Sequence, residues 1–285
     1  MRRRNETSAS MIGTIKCFLR NVRFQLTVLG LMLGAPLAIA ADTSAKEPLP
    51  INVFKNLESG KKQTVILYGT SLTINGEWSK AVKNYFDQQF PGLVTFVNGA
   101  QSGQESNWGV TNLQKRVLSR NPDLVFIEFS VNDAATKHDI SLEKSEANLD
   151  TMVKALRQQN PQVDIVVLTM NPGWDSPDEP SHKKYASDRP HLAEYYAVYR
   201  KYAHDHDLPL VDIYPLWASL QQTNEAKFHK WLPEGLHPIP EASLTVTWPA
   251  IEQTLEKART AAALSMKNLG GKDARQGQKS ATDKN

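Results

Sequence analysis

Cysteine is almost missing from this chain. One occurs in 285 residues, at position 17, so neither a disulfide framework nor a multi-cysteine zinc module can be built. An excess of one charge is missing too. Lys and Arg number 33 against 30 Asp and Glu, and the small basic surplus is unevenly placed. Residues 1–40 hold six basic residues and one acid, while residues 41–265 hold 22 basic against 27 acidic. The body is mildly acidic, and no basic face tracks a phosphate backbone, so no nucleic-acid partner is expected. Several motifs are absent as well. There is no HExxH, GxGxxG or GxxxxGK[ST], and no GxSxG elbow. Zinc-protease, dinucleotide, P-loop and α/β-hydrolase readings therefore lack their motifs, and no cofactor or metal is implied. His204-Asp205-His206 resembles a ligand cluster, but it falls at a predicted helix end, where such residues cap or stay solvated.

Long apolar runs are confined to one place. Residues 24–41 carry no charge and follow a basic segment ending at Arg23. Ala38-Ile39-Ala40 has the small-x-small pattern of a signal-peptidase site. A signal peptide over residues 1–40 is predicted, with cleavage after Ala40 and delivery to the periplasm or the outside. Pro36 interrupts a stretch barely long enough to span a membrane, so no stable membrane insertion is expected after cleavage. The one cysteine leaves with this leader, which removes thiol chemistry from the mature protein.

What is present is an alternation. Short runs rich in β-branched residues lie at 65–68, 94–97, 124–127, 165–168 and 210–213. Such runs suit strands buried on both faces. Between them, helical periods gather Trp78, Val82, Tyr85, Phe86 and Phe90 on one face. A second face holds Leu142, Leu149, Met152, Val153 and Leu156, and a third holds Leu192, Tyr195, Tyr196, Tyr199 and Tyr202. Five strands alternating with helices predict an α/β fold, a parallel sheet with helices on both sides. The site of such a sheet lies at the carboxyl ends of its strands. Residues 41–61 read as a polar lead-in, 62–265 as the domain, and 266–285 as a disordered basic tail with no apolar period. A long proline-containing connection at 171–189 follows the fourth strand.

The predicted strand ends carry the chemistry. Gly69-Thr70-Ser71-Leu72 follows the first, a segment closing on Gly103 follows the second, and Asn132 follows the third. Glu234-Gly235-Leu236-His237 comes after the fifth. Together they offer a hydroxyl nucleophile, an imidazole base, an acid three residues before it and donors for an oxyanion. A serine hydroxyl needs a base to take its proton, and imidazole titrates near neutrality.

In this order the segments resemble the SGNH hydrolases, the superfamily of GDSL-type esterases and lipases, over roughly residues 62–260. The resemblance implies a three-layer α/β/α sandwich around a five-stranded parallel sheet, flavodoxin-like in kind. It implies Ser71 as nucleophile and His237 as base. The oxyanion donors would be Gly103, Asn132 and the Ser71 N–H. Two positions depart from the family pattern. Thr70 stands where the family's Gly-Asp-Ser-Leu has Asp, and Glu234 stands where its DxxH has Asp. Glu234 is the candidate orienting acid, with a backbone carbonyl as the alternative. Asn171, Trp108, Trp174 and Trp231 are candidate substrate contacts, against ordinary packing for each tryptophan. The expected activity is hydrolysis of small acyl esters, with O-acetyl groups on polysaccharides as the substrate class. A lipase, lysophospholipase or thioesterase is one alternative, and a non-catalytic glycan-binding protein on the same scaffold is another. Oligomeric state is left open.

Overall fold

The fold was obtained as a computed structural model, which describes residues 47–282 apart from residue 179. The predicted leader therefore lies outside the described residues. Five strands form one sheet: β1 (Gln63–Gly69), β2 (Val94–Asn98), β3 (Leu124–Glu128), β4 (Asp164–Thr169) and β5 (Leu210–Asp212). Their order is β2-β1-β3-β4-β5, and every pairing is parallel. This is the α/β class expected, with all five strands where the apolar runs placed them.

Alternation along the strands explains the two helical layers. Val65 and Leu67, Leu124 and Phe126, and Val166 and Leu168 face one side. There they pack with α1 (Ile51–Glu58), α3 (Glu77–Gln89), α8 (Tyr214–Thr223), α9 (Glu225–Trp231) and α11 (Trp248–Thr282). Ile66 and Tyr68, Val125 and Ile127, and Ile165 and Val167 face the other side. Their partners are α4 (Ser106–Arg116), α6 (Leu142–Gln159) and α7 (Leu192–Asp205). Successive side chains of a strand point to opposite faces, so a run apolar at every position is required when both faces are covered. The predicted stripes on α3, α6 and α7 are buried, Tyr196, Tyr199 and Tyr202 included, except that Leu142 and Tyr195 are only partly covered.

Two short helices sit at strand ends, α2 (Ser71–Ile74) and α5 (Ser130–Asp133), and a third, α10 (Pro240–Ala242), follows the long return after β5. A π-helical turn, Ser243–Thr247, joins α10 to α11. Among the described residues no helix is long and apolar enough to cross a membrane.

Two expectations are corrected. The lead-in is not simply polar, because 51–58 forms α1 and buries Val53, Phe54 and Leu57. Asp164 at the start of β4 accepts the Val53 N–H at 2.7 Å, satisfying an otherwise orphaned donor of that helix. The stretch from 266 was expected to be disordered, yet α11 continues to Thr282. Residues 266–282 contain no proline, and their Ala, Lys, Gln and Arg residues favour helix.

Candidate active site

β1 and β3 are neighbours at the centre of the sheet, so their carboxyl ends bring α2 and α5 side by side. Ser71 opens α2. The Thr70 hydroxyl caps this helix by accepting the Leu72 N–H, and Ser71 itself is 8% exposed. Its N–H is one of the first donors of a helix, which have no intrahelical partner. The long return after β5 carries His237 back over the same edge. His237 Nε2 lies 2.7 Å from Ser71 Oγ, and its Nδ1 lies 2.8 Å from Glu234 Oε1. A carboxylate can only accept, so Nδ1 carries the proton and Nε2 is left to accept from the serine.

Glu234 reaches the ring by folding back over its own turn. The same Oε1 accepts the backbone N–H of His237 and, at 3.2 Å, that of Leu236. Burial alone raises its carboxyl. The hydrogen bonds from the His237 ring and backbone, the nearby imidazole charge and the Leu236 N–H outweigh that and hold it below the ordinary carboxylate value. Its other oxygen is buried without a partner among the described residues. The extra methylene of Glu over Asp is thus taken up by the turn.

Asn132 sits in α5, 4% exposed. Its amide is oriented from both ends. Nδ2 donates to the Gln104 carbonyl at 2.8 Å, and Oδ1 accepts from Arg189 Nη2 at 3.1 Å. Guanidinium has no acceptor, which fixes which end of the amide is oxygen. Arg189 is buried and also donates to the Val131 and Tyr185 carbonyls. It arrives on the long 171–189 connection, and no sequence signal singled it out. Gly103 lies between Ser102, whose hydroxyl accepts from Asn75, and Gln104. Its φ of +74° is a conformation that glycine takes at little cost.

The other candidates divide. Trp174 is half-buried, stacks on His229 at 3.8 Å between ring centroids and donates to the Leu232 carbonyl at 2.7 Å. It lines an open groove of about 490 Å³ with Asp178, His229, Lys230, Pro233 and Glu234. Trp231 and Asn171 are corrections. Trp231 is 4% exposed and packs against Trp217 in the core. Asn171 is fully buried and donates to the Leu236 carbonyl at 2.7 Å, tying the end of β4 to the His237 turn. Trp108 packs on Tyr68 and Phe129 beneath the Arg116 guanidinium, so its ring is committed to the α4 layer. Position in a loop does not reveal which way a side chain points. Among the described residues no group of three or more His, Cys, Asp or Glu is arranged to hold a metal ion. At the end of α7, Asp205 pairs with Lys201 and His204, and His206 stacks on Tyr202.

Beside Ser71 and His237 opens a small cavity of about 20 Å³, walled by Leu72, Trp78, Met170, Ser243 and Thr247. The π-helical turn sets Ser243 and Thr247 at its wall. Ser243 Oγ accepts the Trp78 N–H at 3.0 Å, and Thr247 Oγ1 accepts the Trp217 indole N–H at 3.2 Å. Single π-turns recur at functional sites.

Residues 66–243 match the model of the GDSL-like Lipase/Acylhydrolase family. A sequence search of curated proteins finds no match. Among solved structures, an acetylxylan esterase from Geobacillus stearothermophilus, solved as a catalytic mutant, superposes with a TM-score of 0.55. It is 18% identical, and the match covers 68% of this chain and 94% of that one. A two-domain esterase active on acetylated mannans superposes with a TM-score of 0.56 at 21% identity, over 75% of this chain and 54% of that one. At such identities the likeness is one of fold.

Proposed function

The chain belongs to the GDSL-like lipase/acylhydrolase family, a family of carboxylic ester hydrolases, and from that premise we propose that it is an exported esterase removing small acyl groups, chiefly O-acetyl, from carbohydrates. One observation carries the reading: the unbroken line Ser71–His237–Glu234, with 2.7 Å and 2.8 Å between successive members.

In this reading Ser71 Oγ attacks the ester carbonyl as its proton passes to His237 Nε2. Glu234 holds the Nδ1–H and stabilises the imidazolium that forms. The Ser71 and Gly103 N–H groups and the second N–H of Asn132 receive the oxyanion. His237 then protonates the departing sugar oxygen, leaving acyl-Ser71. The same imidazole deprotonates a water, which releases the carboxylic acid and restores the serine. No cofactor enters any step.

The small cavity supports an acyl group of acetyl size over the greasy channel that a lipase needs. The open groove with Trp174 beside Glu234 suits a sugar chain, whose rings stack on aromatics. The structurally similar acetylxylan esterase and the esterase active on acetylated mannans agree with that substrate class. A non-catalytic binder on this scaffold would be favoured by an acid unable to reach the imidazole, and Glu234 lies 2.8 Å from Nδ1. Export rests on the leader pattern of residues 1–40, which predicts a mature N-terminus at Ala41.

The test is release of p-nitrophenol from p-nitrophenyl acetate, and of acetate from acetylated xylo- and manno-oligosaccharides. Wild type should be active on both, and Ser71→Ala on neither. An inactive wild type, or an active Ser71→Ala, would overturn the proposal.

A further inference from the structure

A carboxylate lies beneath the turn that carries Ser71. Glu128 closes β3, and the parallel register sets it opposite Gly69, two residues before Ser71. It is fully buried. Its Oε2 accepts three donors from this turn: the Thr70 N–H at 3.1 Å, the Thr70 hydroxyl at 2.8 Å and the Thr73 hydroxyl at 2.9 Å. The Thr70 hydroxyl in turn accepts the Leu72 N–H at 3.2 Å. A relay thus runs from Glu128 through Thr70 to the first turn of α2. Gly69 makes the room, since a Cβ there would stand 2.4 Å from the Glu128 carbonyl oxygen and 2.9 Å from Oε2.

This carboxylate is costly. Its Oε1 is buried with no partner among the described residues. Burial lifts its pKa to about 7, against the pull of the Thr70 and Thr73 hydrogen bonds. The ionisable groups coupled to its charge are Asp133 on α5 and Tyr196 and Tyr199 on α7. An apolar residue at the end of a doubly covered strand would avoid the cost altogether. Packing does not account for Glu128, whereas its three bonds all go to the Ser71 turn.

The geometry points to a role. We propose that Glu128 is the positioning carboxylate of the nucleophile turn, delivered from β3 in place of the acid that the family's Gly-Asp-Ser-Leu block carries at the position of Thr70. It touches no substrate. By holding the Thr70 N–H and both threonine hydroxyls, it fixes the cap of α2. The cap in turn sets the direction of the Ser71 hydroxyl and the Ser71 N–H. This inference rests on Ser71 as the nucleophile.

The test moves the carboxylate. The full chain is prepared as wild type, Glu128→Gln, Thr73→Val and the double variant Thr70→Asp/Glu128→Gln. Each is assayed for kcat and KM on p-nitrophenyl acetate, and for folding by circular dichroism and thermal midpoint. Glu128→Gln should lower kcat about 10- to 100-fold with KM within about twofold of wild type, as misplacement of a reacting group does. The double variant should recover kcat to within about fivefold of wild type, because the acid is restored from the other side of the same turn. A merely structural Glu128 predicts no such recovery. Thr73→Val, which removes one donor and keeps the shape, should lower kcat by less than Glu128→Gln does. It serves as the deciding variant if Glu128→Gln does not fold. Wild-type kcat in a folded Glu128→Gln overturns the proposal. So does a folded double variant no faster than Glu128→Gln, or wild-type kcat in Thr73→Val where Glu128→Gln is unfolded. A wild type without activity on the ester overturns instead the reading of Ser71.

Discussion

Acyl length is the sharpest quantity the site sets. The cavity beside Ser71 and His237 is about 20 Å³, where roughly 10–15 Å³ on this measure holds one water molecule. An acetyl methyl fits, and little room remains. The walls are pinned: Trp78 donates its indole N–H to the Leu72 carbonyl at 2.8 Å and its backbone N–H to Ser243. Each further methylene must push against packed side chains, at about 1–3 kcal/mol of strain. That is roughly 5- to 150-fold in rate. The assay is kcat/KM on p-nitrophenyl acetate, propionate, butyrate and octanoate, which share one leaving group. Butyrate should fall about 100-fold or more below acetate, and octanoate further. Met170, 1% exposed, forms one wall. Met170→Ala should lengthen the accepted chain and bring butyrate within about tenfold of acetate. It should also cost about 2–5 kcal/mol of stability as a core truncation. Octanoate hydrolysed as fast as acetate by wild type would refute the reasoning. A folded Met170→Ala with an unchanged length profile would do the same.

Two further outcomes follow from the carboxylates. Glu234→Gln keeps an oxygen for the Leu236 and His237 N–H groups but removes the charge that stabilises the imidazolium. Its kcat on p-nitrophenyl acetate should fall about 10²- to 10⁴-fold with the fold intact, and a loss under tenfold would assign the ring's orientation to another group. Burial raises Asp164 to about 7, overcoming hydrogen bonds from Val53 and Asn52, and raises Asp133 to about 6. The folded state then holds protons that the unfolded chain has already lost, so the contribution of these two groups to stability is greatest in the acid range and is lost as pH rises towards 7. Between pH 5 and 8 Asp164 alone should account for about 3 kcal/mol. Urea unfolding followed by tryptophan fluorescence should show Asp164→Asn losing less stability over that range than wild type, and an equal loss in the two proteins would contradict the assignment.

Legibility in the sequence followed burial. The strands were readable because parallel strands covered on both faces must be apolar at nearly every position. Ser71 was readable because its segment closes a strand, whereas Glu234 and His237, at the end of a long excursion after β5, were singled out by their resemblance to the family's DxxH. Helix α1 escaped notice because eight residues starting after Pro50 hold only three buried side chains. Arg189 was invisible since a basic residue in a long loop is ordinarily solvated, and only the fold turns it inward onto Asn132. Glu128 did leave a signal. A charge ending the run Leu124–Glu128, followed by Phe129, contradicts a strand buried on both faces. Such a contradiction marks either a false strand or a carboxylate with work to do. Trp231 and Asn171 were misplaced for the opposite reason, as Trp231 ends α9 and Asn171 follows β4, and both side chains turn inward.

The two departures from the family's motifs then take on different meanings. Thr70 and Glu234 both alter the acids around Ser71, yet the carboxylates present are held in opposite states. Glu234 is partly exposed and faces an imidazole as well as two N–H groups, so its pKa falls. Glu128 is fully buried among neutral donors with one oxygen bare, so its pKa rises to about 7. Groups whose environments push their pKa values apart fall into separate roles. Only Glu234 stays ionised across the range in which imidazole exchanges its proton, and only it can face the imidazolium as a fixed counter-charge. Glu128 bonds only the hydroxyls and the backbone N–H of the turn, and its charge strengthens those bonds without facing the imidazole. Its contribution is therefore one of geometry. The extra methylene of Glu at position 234 is no defect, because it lets one oxygen serve the ring and the turn together.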